Sequence, residues 1–436
     1  MAVSGVAVHE ALADITGHEH CLREAPALTR HAVDGVVPSV VVRPASPDEM
    51  SRVVALCAAE HLAMAPRGAG TSAALGNRPR RLDVVLDLGR MRAVREYVPD
   101  DMVATVEAGA TLDQLAGHFA RHRQILTLDP PGGGARSVGG VLATHASGPL
   151  RFRYGTGRDL LLGARFVQAD GTLTWGGAKV VKSVTGYDVP KLLVGSLGTL
   201  GVLVEATLRL HPMPPSSRSW CLGFPSRETG GAFLAALLDS PLQPDRAALL
   251  DGAALRRAGL AVDAIGLLLS ISSAAEAVEH QGQSLMRLAA GHGGRSDEVP
   301  DSAWARLGGV VDGALLLRAV GEPRRLLDWV AEAQAAAGRA GVEAMLLAQP
   351  GHGVLQVSVR DEFDAGRVMK DLVRPLRDAL EAEGGSLIVE RGPAELKAQC
   401  DIWGTIDPEI MAIMVRIKSE FDPAGLLNPG RFVGGL

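Results

Sequence analysis

The chain has 436 residues, 47% of them apolar, so two or three domains with sizeable cores are within reach. A net charge of −5 and the lack of any basic block argue against a nucleic-acid surface, and four scattered cysteines with no C-x-x-C pair argue against an iron–sulfur cluster or zinc knuckle held by this chain. No signal-peptide pattern and no run of about 18 apolar residues occurs, so the expected location is cytoplasmic, peripheral to a membrane only through a partner.

Residues 1–36 read as a helical lead-in. Glu10, Asp14, His18, His20 and Glu24 fall near helical spacing there and are expected to be a solvated face rather than a metal site. Val40 to Val42 is a short β-branched strand. Ser46-Pro47 then opens a helix that runs to about Glu60, with serine as cap and proline at the first position. The apolar run His61 to Ala65 reads as a strand leading into Pro66 to Ser72, P-R-G-A-G-T-S. With Gly68 and Gly70 on either side of Ala69, such a loop can aim several N–H groups at one anion. Arg67 adds a fixed charge, and Thr71 and Ser72 add hydroxyls; a pyrophosphate is the natural guest. Gly68, Gly70 and Ala73 also satisfy the nicotinamide fingerprint G-x-G-x-x-G/A, with an acid at Asp87. That fingerprint needs a crossover helix straight after the turn, and Gly76, Asn77, Pro79 and Asp83 leave no room for one. Strands Val84 to Leu88 and Met102 to Glu107 follow, then a helix from Leu112 to about His122 capped by Thr111.

Residues 126–148, L-T-L-D-P-P-G-G-G-A-R-S-V-G-G-V-L-A-T-H-A-S-G, form a second glycine-rich tract. Small residues at Gly139, Gly140, Ala143, Ala146 and Gly148 leave room for a flat ring, and Ser137, Thr144 and Ser147 offer hydroxyls. So much glycine gives up chain entropy on folding, which argues for a function. His145 lies in the tract, where a structural role is expected over a place at the ring. Strand Leu162 to Ala169, an Asp170-Gly171 hairpin and strand Leu173 to Trp175 come next. Gly176 to Asp188 and Gly195 to Gly201 (G-S-L-G-T-L-G) are the third and fourth motif tracts, before strand Val202 to Leu210. From 215 to about 392 the pattern changes to apolar strands (219–224, 264–270, 314–320, 343–347, 354–359, 387–390) alternating with helices (226–238, 273–290, 322–339, 363–383). This alternation suits helices packed on one face of an antiparallel sheet. A helix over 408–420 precedes the terminal F-D-P-A-G-L-L-N-P-G-R-F.

Four tracts in this order resemble the FAD-linked oxidases of the p-cresol methylhydroxylase / vanillyl-alcohol oxidase type, and within them the FAD-binding E subunit of glycolate oxidase. The resemblance covers about Asp34 to the C-terminus, loosely over 215–390. It implies an α+β fold: a bilobed PCMH-type FAD-binding domain (37–214), a ferredoxin-like α+β cap or substrate domain (215–395), and a C-terminal helix and tail (396–436) returning to the FAD domain. It implies that Arg67, Gly68, Ala69, Gly70, Thr71 and Ser72 hold the FAD pyrophosphate. It also implies that Ser137, Val138, Gly140, Thr144, Ser147 and Gly148, with Pro131 and Tyr154, line the ring and pyrophosphate. Gly198, Gly201 and Val202 would approach the adenine side, and Asn428 would fold back toward the flavin. Ala69 stands where covalent members carry a histidine, so FAD is expected to be non-covalent.

The family's hydroxy-acid dehydrogenases carry a G-H-x-G-D-G-N-x-H metal motif. Here the matching place reads Q-P-G-H-G-V-L-Q, with His352 alone, so no metal site is expected. Oxidising a 2-hydroxy acid at a flavin requires a cation for the carboxylate and a base for the hydroxyl proton. The candidate cations are Arg151, Arg153, Lys182 and Arg391, and the candidate bases are His352 and Tyr187. Three functions stay open. The chain can be the flavoprotein subunit of a glycolate or D-lactate dehydrogenase, passing electrons to a second flavin subunit and an iron–sulfur subunit or to a quinone. It can be a self-sufficient FAD-dependent oxidoreductase, or a non-catalytic FAD-binding assembly subunit.

Overall fold

Two β-rich units and a returning C-terminal segment make up the computed structural model, which describes residues 5–178, 186–261 and 263–436. Lys182 lies outside the described residues. In the first unit the strands Cys21–Leu22, Val40–Val42, Val84–Asp87 and Met64–Arg67 form one sheet in that order, the last three parallel. All three valines of Val40–Val42 are buried, because both faces of this sheet are covered. Helix Pro47–Ala59 starts where Ser46 Oγ accepts from Glu49 N (3.1 Å) while Glu49 accepts from Ala45 N (2.8 Å). It buries Met50, Val53, Val54 and Cys57, the i, i+3, i+4, i+7 stripe of an amphipathic helix. A second, antiparallel sheet runs in the order Val94–Val98, Val103–Glu107, Val202–Arg209, Leu161–Val167, Leu173–Gly177. Met50, Leu86, Val106, Phe119 and Val204 share one core between the sheets.

The second unit is an eight-stranded antiparallel sheet in the order Arg295–Val299, Ser216–Phe224, Ile265–Ser273, Arg246–Asp251, Ala344–Gln349, Val354–Val359, Leu315–Val320, Ser386–Arg391. Its period-two alternation assigns the two faces different roles. Leu315, Leu317 and Ala319 meet the helices Arg227–Leu238, Ala275–Gly291, Leu326–Ala340 and Arg374–Ala382, while Leu316, Arg318 and Val320 line a cavity on the other side. The sequence reading anticipates six of these eight strands. Arg295–Val299 is a polar edge strand with no apolar alternation, and the Ala/Leu-rich Arg246–Asp251 carries no β-branched residue. Both therefore lack the usual strand signal. The expected single helix over 363–383 is broken by a π-turn at Met369–Val373, next to Pro375, which has no N–H to give.

The C-terminal segment goes back to the first unit. Helix Pro408–Phe421 is capped by Asp407, whose carboxylate accepts from Glu409 N (2.8 Å). Near its end Lys418 is buried, with Nζ donating to Asp422 Oδ2 (2.6 Å), Thr199 O (2.8 Å) and Leu427 O (3.0 Å). Asp422 in turn accepts from Leu426 N (3.0 Å) and Leu427 N (2.8 Å). The tail then pairs with the first sheet: Met64 N donates to Leu426 O and Asn428 N to Met64 O, both at 2.7 Å. Asn428 Nδ2 donates to Leu197 O (2.6 Å), and buried Arg431 donates to Ala73 O (2.9 Å) and to Leu75 O. No helix among the described residues is long and apolar enough to cross a membrane.

Removing one partner of a buried pair strands the other charge. Lys418→Met is therefore expected to destabilise the chain by about 3 kcal/mol, read as a lowered urea midpoint at unchanged m-value.

Candidate functional site

The loop after strand Met64–Arg67 is shaped by a close approach. A β-carbon on Gly68 would lie 2.0 Å from Ser137 Oγ, and one on Gly198 would lie 2.7 Å from the Pro66 ring. Ala69 N donates to Ser137 Oγ (3.2 Å), while the N–H groups of Gly70, Thr71 and Ser72 find no acceptor among the described residues. Arg136 donates from Nη1 to Ser72 Oγ (2.8 Å) and keeps a buried Nε without a partner; buried Arg431 Nη1 has none either. A cavity of about 130 Å³ on one side is lined by Arg67 to Ser72, Ser137, Gly140, Thr144, Gly198, Gly201 and Asn428. A cavity of about 1020 Å³ lies on the other side, and Thr71, Ser72, Leu75 and Thr144 belong to both walls. Unpaired donors converging beside a long cavity fit the diphosphate and flat ring of FAD.

The second glycine tract does not stay a loop. Val138–Thr144 is a helix capped by Ser137 and buries Val138, Val141 and Leu142. Those three are at i, i+3, i+4, a signal that Gly139 and Gly140 obscured in the sequence. Val138 is therefore core rather than ring wall, and Val202 is likewise buried at the head of its strand, lining neither cavity. Gly148 is packed against the backbone carbonyl of Asp129. Tyr154 stands off the cavity with its ring 4.8 Å from that of His211. Pro131, Thr144 and Ser147 do line the large cavity.

The opposite wall of that cavity is part of the second face of the eight-stranded sheet, the rest of which is covered by helices Gly252–Arg257 and Ser302–Arg306. Gln349 Nε2 donates to Ser147 O (3.3 Å) across the two units. Most arginines here have partners. Arg318 pairs with Glu390 (2.6 Å), Arg246 with Asp301 (2.8 Å) and Arg391 with Gly313 O (2.9 Å). Arg151 differs: no oxygen among the described residues accepts from its guanidinium, although it lines the cavity beside Ser147. The other sequence candidates go elsewhere. Arg153 lies over the Tyr154 ring at 5.9 Å. His352 is half-buried against Phe152 with Nδ1 3.2 Å from Pro350 O, and lines neither cavity. Tyr187 is 96% exposed. Among the described residues no group of three or more His, Cys, Asp or Glu gathers as metal ligands.

Two groups at the cavity are acid–base in character: Asp129, which the sequence did not single out, and His145, for which a structural role was expected. Asp129 lines the cavity, and Leu150 N donates to both of its oxygens at 3.0 Å. Burial pushes its carboxyl up to about 7, against the pull of Arg246 at 4.0 Å. His145 also lines the cavity, with Nε2 3.1 Å from Thr156 Oγ1, which donates to Asp159 Oδ2 at 2.9 Å. Burial, then Arg151, Arg318 and Arg158, hold its pKa below the ordinary histidine value.

Comparison with known proteins gives concordant matches. The profile described as "FAD binding domain" matches residues 38–177, and that described as "FAD linked oxidases, C-terminal domain" matches residues 213–432. D-lactate dehydrogenase (cytochrome), mitochondrial, of Arabidopsis thaliana is 26% identical over 422 residues, covering 91% of this chain and 74% of its own length. Glycolate oxidase subunit GlcD of Bacillus subtilis is 25% identical over 420 residues, covering 91% of this chain and 89% of its own. The crystal structure of p-cresol methylhydroxylase with substrate bound shares the fold, with TM-score 0.77 at 18% identity over 99% of this chain and 97% of that one.

Two outcomes follow from this geometry. Gly68→Ala is expected to weaken FAD binding at least about tenfold by calorimetric titration of the cofactor-free chain, and Gly68→Ala with Ser137→Gly to recover part of it. As pH rises from 3.8 to about 7, the unfolded chain sheds the Asp129 proton while the folded chain keeps it, so stability falls over that window. Asp129→Asn is expected to flatten that slope in denaturant midpoints measured across the same pH range.

Proposed function

The chain belongs to the FAD-linked oxidases, and from that membership we propose that it oxidises a small 2-hydroxy acid such as glycolate or D-lactate to the 2-oxo acid. It acts as an FAD-binding subunit that passes electrons to a partner iron–sulfur subunit or a quinone. FAD is its cofactor, held by the Arg67 to Ser72 loop, Arg136 and the Ser137 helix end. When bound, FAD would supply the two-electron oxidant that turning the hydroxyl carbon into a carbonyl requires.

The observation that carries this reading is Arg151. A guanidinium facing a cavity with no acceptor of its own among the described residues is a ready fork for a carboxylate, and each charge-assisted hydrogen bond there is strong because the cavity is partly desolvated. Gln349 and Ser147 line the same cavity. The subunit reading has separate support. Ile410 and Ile413, one helical turn apart on Pro408–Phe421, are 54% and 57% exposed, an apolar surface that suits a protein partner. The Bacillus relative is by name a subunit, and the Arabidopsis relative's name gives a cytochrome.

The test is the full chain reconstituted with FAD, mixed anaerobically with glycolate or D-lactate. Loss of the oxidised flavin band is the expected result, and a band unmoved by either acid, alone or with co-expressed partners, overturns the reading. Arg151→Met is expected to lower the kcat/KM about 10- to 100-fold with FAD affinity unchanged, and Arg151→Lys to restore part of it.

A further inference from the structure

We propose that His145 is the proton acceptor for the substrate hydroxyl, and that Thr156 and Asp159 are positioning residues that fix its ring and tautomer. The proposal rests on the hydroxy-acid reading above and names the base that reading requires.

Chemistry fixes the tautomer. Asp159 Oδ2 accepts from Thr156 N (2.8 Å) and from Thr156 Oγ1 (2.9 Å). A threonine hydroxyl has one proton, and here it goes to the carboxylate. Toward His145 Nε2, 3.1 Å away, the same oxygen can only accept. Nε2 therefore carries the ring proton, and Nδ1 holds the lone pair. No described residue is bonded to Nδ1, yet it is not among the buried polar atoms left without partners, so it is open to the cavity that His145 lines. A base oriented by a hydroxyl that is itself held by a carboxylate follows the general pattern of oriented acid–base groups.

The backbone gives independent support. His145 caps the helix Val138–Thr144 at φ 51, in the left-handed region. Glycine or asparagine ends a helix there with least strain. A histidine at this position puts an imidazole on the cavity wall near Arg151, at the expense of a strained backbone.

Electrostatics suit the role. Three of the charges acting on His145, Arg151, Arg318 and Arg158, are cations, and with burial they keep the imidazole neutral at pH 7, in its proton-accepting form. Burial pushes Asp159 up, but the two hydrogen bonds from Thr156 and the charge of Arg158 bring it below its ordinary value, so it stays an acceptor. In the reaction the substrate O–H bond breaks and its proton moves to Nδ1. The C2–H bond breaks with its electron pair leaving as hydride to FAD, and the C–O bond becomes C=O. The imidazolium then returns its proton to solvent.

Two measurements test this. The first needs no cofactor turnover. In the full chain labelled with ¹⁵N-histidine, the His145 signal is identified among the twelve histidines by its loss in His145→Asn. It is expected to show the Nε2–H tautomer at pH 7, and Nδ1 is expected to shift on adding oxalate as a carboxylate probe. An Nδ1–H tautomer, or no shift with oxalate, overturns the proposal. The second is the rate of flavin reduction by glycolate or D-lactate in the FAD-loaded chain. Asparagine tolerates the left-handed cap, so His145→Asn keeps the fold. It is expected to slow reduction about 100-fold and to abolish the loss of rate at low pH, with FAD and oxalate affinities within about twofold of the parent. An unchanged reduction rate, or a loss confined to FAD affinity, overturns the proposal. If the parent chain is reduced by neither acid, the hydroxy-acid reading has failed, and the tautomer and oxalate shift still decide the role of His145.

Discussion

The site depends on a pair of backbone hydrogen bonds between segments some 360 residues apart: Met64 N to Leu426 O and Asn428 N to Met64 O. They lay the tail against the strand that ends in the anion-binding loop. The buried Lys418–Asp422 pair sets the angle of that approach, because Lys418 ties the helix to Thr199 O and the tail to Leu427 O in one ammonium group. Asn428 and Arg431 then hold the backbone at Leu197 and at Ala73. Four stretches that never meet in sequence are thereby pressed together with no room for side chains between them. This close approach explains the small residues at Gly68 and Gly198 better than loop flexibility does.

The two units divide the work. The first supplies unpaired N–H groups and a helix end around a narrow cleft. The second supplies the roof of the large cavity through one face of its sheet, the other face being sealed by helices. Gln349 and Ser147 stitch the roof to the floor. Charge on the roof is mostly neutralised in place by pairs such as Arg318–Glu390, whereas Arg151 on the floor has no acceptor among the described residues.

What could be read from the sequence was whatever is encoded locally. The loop at Arg67 to Ser72 was legible because glycine, arginine and hydroxyl residues state their use within seven positions. Arg151 was legible as the first charge after a small-residue tract. His352 and Tyr187 were chosen because they stand in or beside motifs, and nearness in sequence does not fix where a side chain points; the cavity wall reaches Gln349 but not His352. The helix Val138–Thr144 was hidden because two glycines lowered its apparent propensity while its buried stripe was only three residues wide. Asp129 and His145 were not legible as acid–base groups, since their character comes from burial and from arginines on distant strands. The sheet alternation at Leu316, Arg318 and Val320 was readable in period but not in which face met a cavity.

The late position of the closing segment has a consequence for biosynthesis. Residues 426–431 are made more than 350 residues after the anion loop, so the strand at Met64 stays without its tail partner until they have been synthesised. A chain lacking this segment would lack Asn428 and Arg431 on the wall of the narrow cavity.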